Sequence, residues 1–180
     1  MAVVKGTALF ADVFEPNYYD ENKPKWQVKL VVDEETAARL HNEGLQVNIK
    51  HNDRKGSVAW EPGTKIGEEE YLVINFKRYV DKKKGSQIVG KNSPPKIVDA
   101  KRNPFHLPIG NGSTINVQYQ IFQYNNKFGK GNSSDLLAIQ VLDYIAPPDD
   151  SGDEFEEEDG FVASEEDFVN VDNSDNDVPF

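Results

Sequence analysis

The sequence predicts an all-β fold: a small antiparallel barrel with one inserted helix, followed by an acidic tail without fixed structure. Three observations carry this prediction. Five or six segments between Val3 and Ile145 alternate apolar and polar residues with the period of a half-buried strand. Only Asp33 to Gly44 has the spacing and end residues of a helix, so strands and helices do not alternate as a parallel, doubly wound sheet requires. Composition then changes abruptly at Pro147 and Pro148, from mixed apolar sequence to Asp, Glu, Ser, Asn and Gly.

Each element has its own warrant. "VVKGTALFADVF" (Val3 to Phe14) is rich in β-formers and reads as a first strand, with Gly6 as its bulge. A loop punctuated by Pro16 and Pro24 follows. "WQVKLVVD" then places Trp26, Val28, Leu30 and Val32 on a core face. Asp33 can N-cap the helix, Glu34 and Glu35 suit the positive end of its dipole, and Gly44 can end it. "LQVNIKHN" puts Leu45, Val47 and Ile49 on one face, and the following stretch to Glu70 is mostly turn and loop around a short apolar piece, in which Trp60 has no assigned place. "YLVINFKRYV" is the clearest long strand. Leu72, Ile74, Phe76 and Arg78 share one face, while Tyr71, Val73, Asn75, Lys77 and Tyr79 share the other. "DKKKGSQ" reads as a basic turn, and "PPKIVDAKRNPFHLPIGNG" as a long, proline-rich connection. In "STINVQYQIFQY", Ile115, Val117, Tyr119 and Ile121 point inward, with Gln118, Gln120, Phe122 and Tyr124 outward. "NNKFGKGNSS" is a hairpin-like loop, and "DLLAIQVLDYI" closes the fold with Leu137, Ile139 and Val141 inward. A five-stranded barrel interrupted by a helix is compatible with the OB-fold, although alternation does not separate that fold from other small barrels. The predicted organisation is a folded domain over 1–146 and a disordered acidic tail over 147–180.

Charge and composition narrow the function. The chain has no cysteine, which excludes disulfides, cysteine nucleophiles and thiolate metal sites. The N-terminus lacks a basic region followed by an apolar stretch, and no apolar run approaches membrane-spanning length, so a cytoplasmic location is expected. A net charge of −11 alone argues against a polyanionic ligand. Yet residues 149–180 hold 14 Asp and Glu and no Lys or Arg, leaving 17 acidic and 20 basic residues in 1–148, a net of +3. A mildly basic body with a strongly acidic tail is a charge asymmetry that points toward nucleic acid.

Catalytic signals are weak. The three histidines are His41, His51 and His106, and "HND" at His51 to Asp53 is the nearest thing to a ligand set. No zinc-protease helix, nucleophile elbow or phosphate loop is present, and "GNGS" at Gly110 to Ser113 precedes a strand rather than a helix, so it reads as a turn. A metal-dependent nuclease would have to draw on scattered carboxylates such as Asp12, Asp81 and Asp99. No cofactor, metal site or catalytic residue is expected.

The cations are more informative because aromatics interleave with them. "NFKRYVDKKKG" carries Lys77, Arg78, Tyr79, Lys82, Lys83 and Lys84; "IFQYNNKFGKG" carries Phe122, Tyr124, Lys127, Phe128 and Lys130; and "IKHNDRKG" adds Lys50, Arg54 and Lys55. A single strand needs this combination, since cations neutralise phosphates and flat rings accept unpaired bases. Outward Tyr79, Phe122 and Tyr124 are the stacking candidates. Edge-protecting lysines and a ring covering an apolar shoulder would be the structural alternative.

The tail ends in "DNSDNDVPF", with Phe155, Phe161, Phe168 and Phe180 spaced along it. A solubility tail explains its charge but not an apolar anchor beside Asp175, Asp177, Val178 and Pro179, which has the form of a ligand for a partner's pocket. The acidic run also mimics a phosphate backbone and can compete for the body's own cations.

Together "VVKGTALFADVFEPN", "KWQVKLVVDEETAARL", "PPKIVDAKRNPF", "IGNGSTINVQYQIFQY" and "DLLAIQVLDYI" resemble bacteriophage single-stranded DNA-binding proteins, including those of T7-like phages, over about residues 3–146 and the tail. The closing "DVPF" resembles the tip of bacterial single-stranded DNA-binding proteins, a departure from the T7-like tails, which end in phenylalanine without Val-Pro-Phe. The resemblance implies an OB barrel that coats single strands in replication, recombination and repair. It implies a tail contacting DNA polymerase and helicase–primase proteins, and dimer formation. The bacterial-style tip adds host replication or repair proteins to those partners. The rival from another class is an acidic-tailed chaperone or scaffold that binds basic proteins.

Overall fold

In the computed structural model the chain divides into two units, Met1–Pro148 and Asp149–Phe180, and the structure describes residues 1–148, 155–156 and 158–161. The elements run β1 (Ala2–Asn17), β2 (Lys25–Val32), α1 (Glu34–Asn42), β3 (Asn48–His51), β4 (Ser57–Ala59), β5 (Glu70–Tyr79), β6 (Asp81–Lys84), β7 (Gln87–Lys91), β8 (Lys96–Asp99), β9 (Thr114–Asn126) and β10 (Gly129–Asp143). No helix among the described residues is long and apolar enough to cross a membrane.

Five strands close into a barrel. β1 pairs antiparallel with β2 and β9, β2 with β5, and β9 with β10. The circuit closes where β5 meets β10 in parallel, at the register pair Asp135 and Lys77. The result is the expected OB-like barrel with one short helix. Alternation produces it: the apolar face of β2 (Trp26, Val28, Leu30, Val32) is buried, as are Leu72, Ile74 and Phe76 of β5 and Ile115, Val117 and Tyr119 of β9. Asp33 caps α1 by accepting the Thr36 N–H at 2.8 Å, and that bond holds its carboxyl below the usual carboxylate range. The helix lays Ala37 and Leu40 on the core, and Gly44 follows it at φ +86°. Trp60 also belongs to the core, where its indole N–H donates to the Thr64 carbonyl at 3.1 Å.

Three expectations need correction. Gly6 is not a bulge; its register with Ile115 is regular. A Cβ there would lie 2.5 Å from the Val31 carbonyl oxygen and 2.6 Å from Leu30 Cγ, so glycine lets β1 approach β2. The irregularity falls between Leu9 and Asp12, where Phe10 adopts φ 50° and donates its N–H to Asn111 Oδ1 at 2.8 Å. Second, Leu137 is not the inward residue of β10. The register slips between Leu136 and Ala138, so Leu136 is buried, and Ile139 and Val141 resume the core face. Third, most of "NNKFGKGNSS" is strand rather than loop, the basic turn is part of the β6–β7 hairpin, and the proline-rich connection holds β8, parallel to β10.

Tyr119 shows how the barrel treats a buried hydroxyl. Its hydroxyl donates to Glu43 Oε2 at 2.8 Å, and its ring tilts against Phe76 at 5.1 Å. Burial first, then the neighbouring Glu43 carboxylate, raises the phenol well above its ordinary value. The sign follows. The folded state keeps this proton where the unfolded chain, near its ordinary value of about 10, has lost it. Stability from this group is therefore present below about pH 10 and declines as pH rises further. Tyr119→Phe should cost about 1–2 kcal/mol at pH 7 by stranding Glu43, and that difference should narrow above about pH 10. Urea midpoints of both proteins between neutral pH and pH 11 check this.

Candidate nucleic-acid interface

The outward faces of β5, β9 and β10 meet beside the seam that closes the barrel. Here a groove of about 520 Å³ is lined by Lys77 and Tyr79 from β5, Phe122 and Tyr124 from β9, and Asn132, Ser133 and Ser134 from β10. Leu45, Gln46 and Asn48 complete one wall, with Ile74 and Asn75 on the floor. Phe122 and Tyr124 are 43% and 42% exposed, as stacking requires and core packing does not. The Lys77 ammonium sits 5.5 Å from the centroid of Tyr79, so cation and ring are presented as one unit.

The groove continues at both ends. Tyr79 also walls a hollow of about 300 Å³ with Lys23, Pro24, Asp81 and Lys83. Tyr124 and Asn132 also wall one of about 480 Å³ with Gln123, Asn125, Lys130 and Gly131. The three hollows therefore form a track divided by two tyrosines, with a lysine in each. Lys83 is tied down by donating to the Asn22 carbonyl at 2.6 Å, which fixes the β6–β7 hairpin beside the β1–β2 loop.

Of the expected binding residues, Lys77, Tyr79, Lys83, Phe122, Tyr124 and Lys130 lie on this track. Lys82 and Lys84 stand exposed on the β6–β7 hairpin, and Lys127 and Phe128 at the tip of the β9–β10 hairpin, where the Lys127 ammonium lies 5.1 Å from the Phe128 ring centroid. Lys50, Arg54 and Lys55 lie on β3 and its turn and line none of the three hollows. Arg78 has another task. Its guanidinium pairs with Asp135 at 2.6 Å and donates to the Ser93 carbonyl at 2.9 Å, with only 15% of the side chain exposed. It fastens β5 to β10 at the seam, and its charge is already matched. Asp175, Asp177, Val178, Pro179 and Phe180 lie outside the described residues.

The polar lining was not foreseen. Gln46, Asn48, Asn75 and Asn132 surround the rings with amides, and Gln46 donates to Asn48 at 3.0 Å while Asn132 donates to the Glu43 carbonyl at 3.1 Å. Outward Asn75 carried the one available signal, its position between Lys77 and Val73 on the same face.

The candidate catalytic groups are committed elsewhere. His51 Nδ1 accepts the Asp53 backbone N–H at 3.0 Å, which leaves its proton on Nε2, facing Glu69 at 3.5 Å. His51, Asp53 and Glu69 lie close enough together to suggest a ligand set. Asp12 accepts from Asn17 and Gln27, Asp81 pairs with Lys91, and Asp99 accepts the N–H groups of Lys101 and Asn103. The Asn103 N–H above all holds the Asp99 carboxyl below its usual range. "GNGS" is a turn, as expected, and it staples the end of β10: buried Ser113 donates its hydroxyl to the Ile145 carbonyl and accepts the Ile145 N–H.

No protein-family model matches the chain, and no curated protein sequence does. Solved structures do. The single-stranded DNA-binding protein of bacteriophage Enc34, in complex with single-stranded DNA, aligns at 16% identity over 81% of this chain and 88% of that one, with a TM-score of 0.48. Bacteriophage T7 gp2.5, a single-stranded DNA binding protein, aligns at 18% identity over 91% of this chain and 99% of that one, with a TM-score of 0.55. In fold, this chain is therefore like gp2.5 of bacteriophage T7, matched along nearly the whole length of both.

Proposed function

We propose that this protein binds single-stranded DNA and performs no chemistry on it. The observation that carries the proposal is the track along β5, β9 and β10, where Lys83, Lys77 and Lys130 alternate with Tyr79, Phe122 and Tyr124. Lysines hold a flexible phosphate backbone as point charges, and each ring offers a face to an unpaired base. A duplex keeps its bases stacked on each other, so the rings have nothing to accept. The fold likeness to gp2.5, described as a single-stranded DNA binding protein, supports the same reading.

The acidic segment completes the proposal. Residues 1–146 bind the strand, and residues 147–180 bind protein partners of phage replication, with polymerase and helicase–primase proteins as the expected class. The 14 carboxylates of residues 149–180 imitate phosphates and compete for the lysines until DNA displaces them. Asp175, Asp177, Val178, Pro179 and Phe180 form the partner contact. The protein would act in the cytoplasm of an infected cell, in replication, recombination and repair, and a homodimer is part of the proposal.

A salt titration tests this on single- and double-stranded oligonucleotides, with the full chain and with one ending at Pro148. We expect preference for the single strand, affinity falling steeply with salt, and roughly tenfold or more tighter binding by the truncated chain at low salt, converging as salt rises. Equal affinity of both chains at low salt would remove the competition. Failure of both chains to bind either strand, with a basic protein captured only by the full chain, would instead favour the acidic-tailed scaffold.

A further inference from the structure

We propose that Gly131 is a positioning residue that lets the far end of the Tyr124 ring rest against β10 and so sets the tilt at which the ring is offered for stacking. The proposal rests on single-strand binding by the groove. Gly131 and Tyr124 are directly paired in the β9–β10 register. A Cβ built on Gly131 would lie 2.5 Å from Tyr124 Oη, 2.7 Å from Cζ and 3.0 Å from Cε1. These three nearest atoms all belong to the far end of one ring, so the ring lies over the space where a side chain would stand. The backbone gives no other reason for glycine here. The left-handed glycines are Gly44, Gly56, Gly63, Gly85, Gly112 and Gly129, and Gly131 is not among them. Glycine in a strand interior weakens the strand, so its place opposite an exposed tyrosine calls for a compensating use.

That use follows from position. Tyr124 divides the central hollow from the one containing Lys130. With its far end resting over the glycine, the ring borders the track at a set tilt. Base stacking needs offset, near-parallel planes, so tilt decides whether a base is accepted. A methyl at 131 would have to drive the ring tip from 2.5 Å out to an ordinary contact of 3.4–4 Å, and the ring would stand up into the track. Only a flexible side chain has to move, so alanine should leave the fold intact.

The test uses the full chain as wild type, Gly131→Ala, Tyr124→Leu and the double variant. Each is titrated with a thymidine oligonucleotide of about 15 nucleotides and with an abasic strand of the same length, and each is melted. We expect Gly131→Ala to bind the base-bearing strand roughly 3- to 10-fold more weakly, to bind the abasic strand as wild type does, and to melt close to wild type. In the Tyr124→Leu background the same substitution should add no further loss. Equal weakening on both strands, further weakening without Tyr124, or unchanged binding would each overturn the proposal. A wild-type chain that binds neither strand would overturn the proposed function itself, and that result is read before any variant is compared.

Discussion

Replacing Tyr79, Phe122 and Tyr124 together by alanine should weaken binding to a thymidine strand by roughly 10²- to 10⁴-fold while leaving its salt dependence unchanged. Stacking of a base on an aromatic side chain is worth about 1–3 kcal/mol by alanine substitution. Three neighbouring rings on one track are not independent, so the sum is discounted to about 3–6 kcal/mol, at 1.4 kcal/mol per tenfold. The salt slope counts phosphates neutralised, and no cation is removed. The complementary variant, Lys77→Gln with Lys83→Gln and Lys130→Gln, should flatten the slope by about 2, at roughly 0.7 per phosphate for a single strand. Fluorescence anisotropy at four or five salt concentrations separates the two. If the ring variant flattened the slope as much as the lysine variant, rings and cations would not be acting as distinct parts of one track.

The second large effect concerns stability. A Cβ on Gly110 would collide with the Ile145 carbonyl oxygen and lie 2.5 Å from the Ala146 carbonyl carbon. Both are backbone, and Ile145 is held by Gly110 and Ser113 through three hydrogen bonds, so nothing nearby can yield. Gly110→Ala is expected to destabilise the body by about 3 kcal/mol or more, the upper end for overpacking. For a unit of this size that lowers the melting temperature by about 10 °C. Gly63→Ala supplies the contrast. Gly63 has φ +93° and nothing within 4 Å of its Cβ position, so alanine there meets conformational strain without collision. Its cost should be about 1–2 kcal/mol. A calorimetric melt showing Gly110→Ala to be the milder of the two would contradict this account of the turn.

Much of the barrel was legible because burial of one face leaves a period-two record. Trp26 to Val32 and Ile115 to Tyr119 are buried on every second residue as alternation requires; β5 departs from it at Val73, expected outward but buried beside Leu72 and Ile74. The record fails where one residue is inserted: the slip at Leu137 leaves local composition unchanged yet reverses inward and outward. It fails also where a strand has no apolar face to advertise. β6 is Asp-Lys-Lys-Lys, and only its pairing with β7 makes it a strand. The groove's lining was legible where it rested on a strand face, at Lys77, Tyr79, Phe122 and Tyr124. It was illegible where a residue's partner was distant. Arg78 looks like its basic neighbours, and only Asp135, 57 residues on, shows that its charge is paired within the fold. Lys50, Arg54 and Lys55 lie on β3 and its turn, outside the three hollows, because a basic cluster in sequence need not share a face with another.

The seam between β5 and β10 carries a consequence for when the groove comes into being. It joins Lys77 to Asp135 across 58 positions, through one parallel register pair and the Arg78 ion pair beside it. Hairpins such as β9–β10 close over short loops, whereas this contact must bear a long loop-closure entropy before anything rewards it. Lys77 and Tyr79 stand on one side of that junction, and Tyr124 and Asn132 on the other. Neither half lines the groove alone. A nascent chain therefore completes the groove only once this long-range junction has closed, and under the proposed function a DNA strand lying across the junction would act as a clasp that favours the barrel's closure.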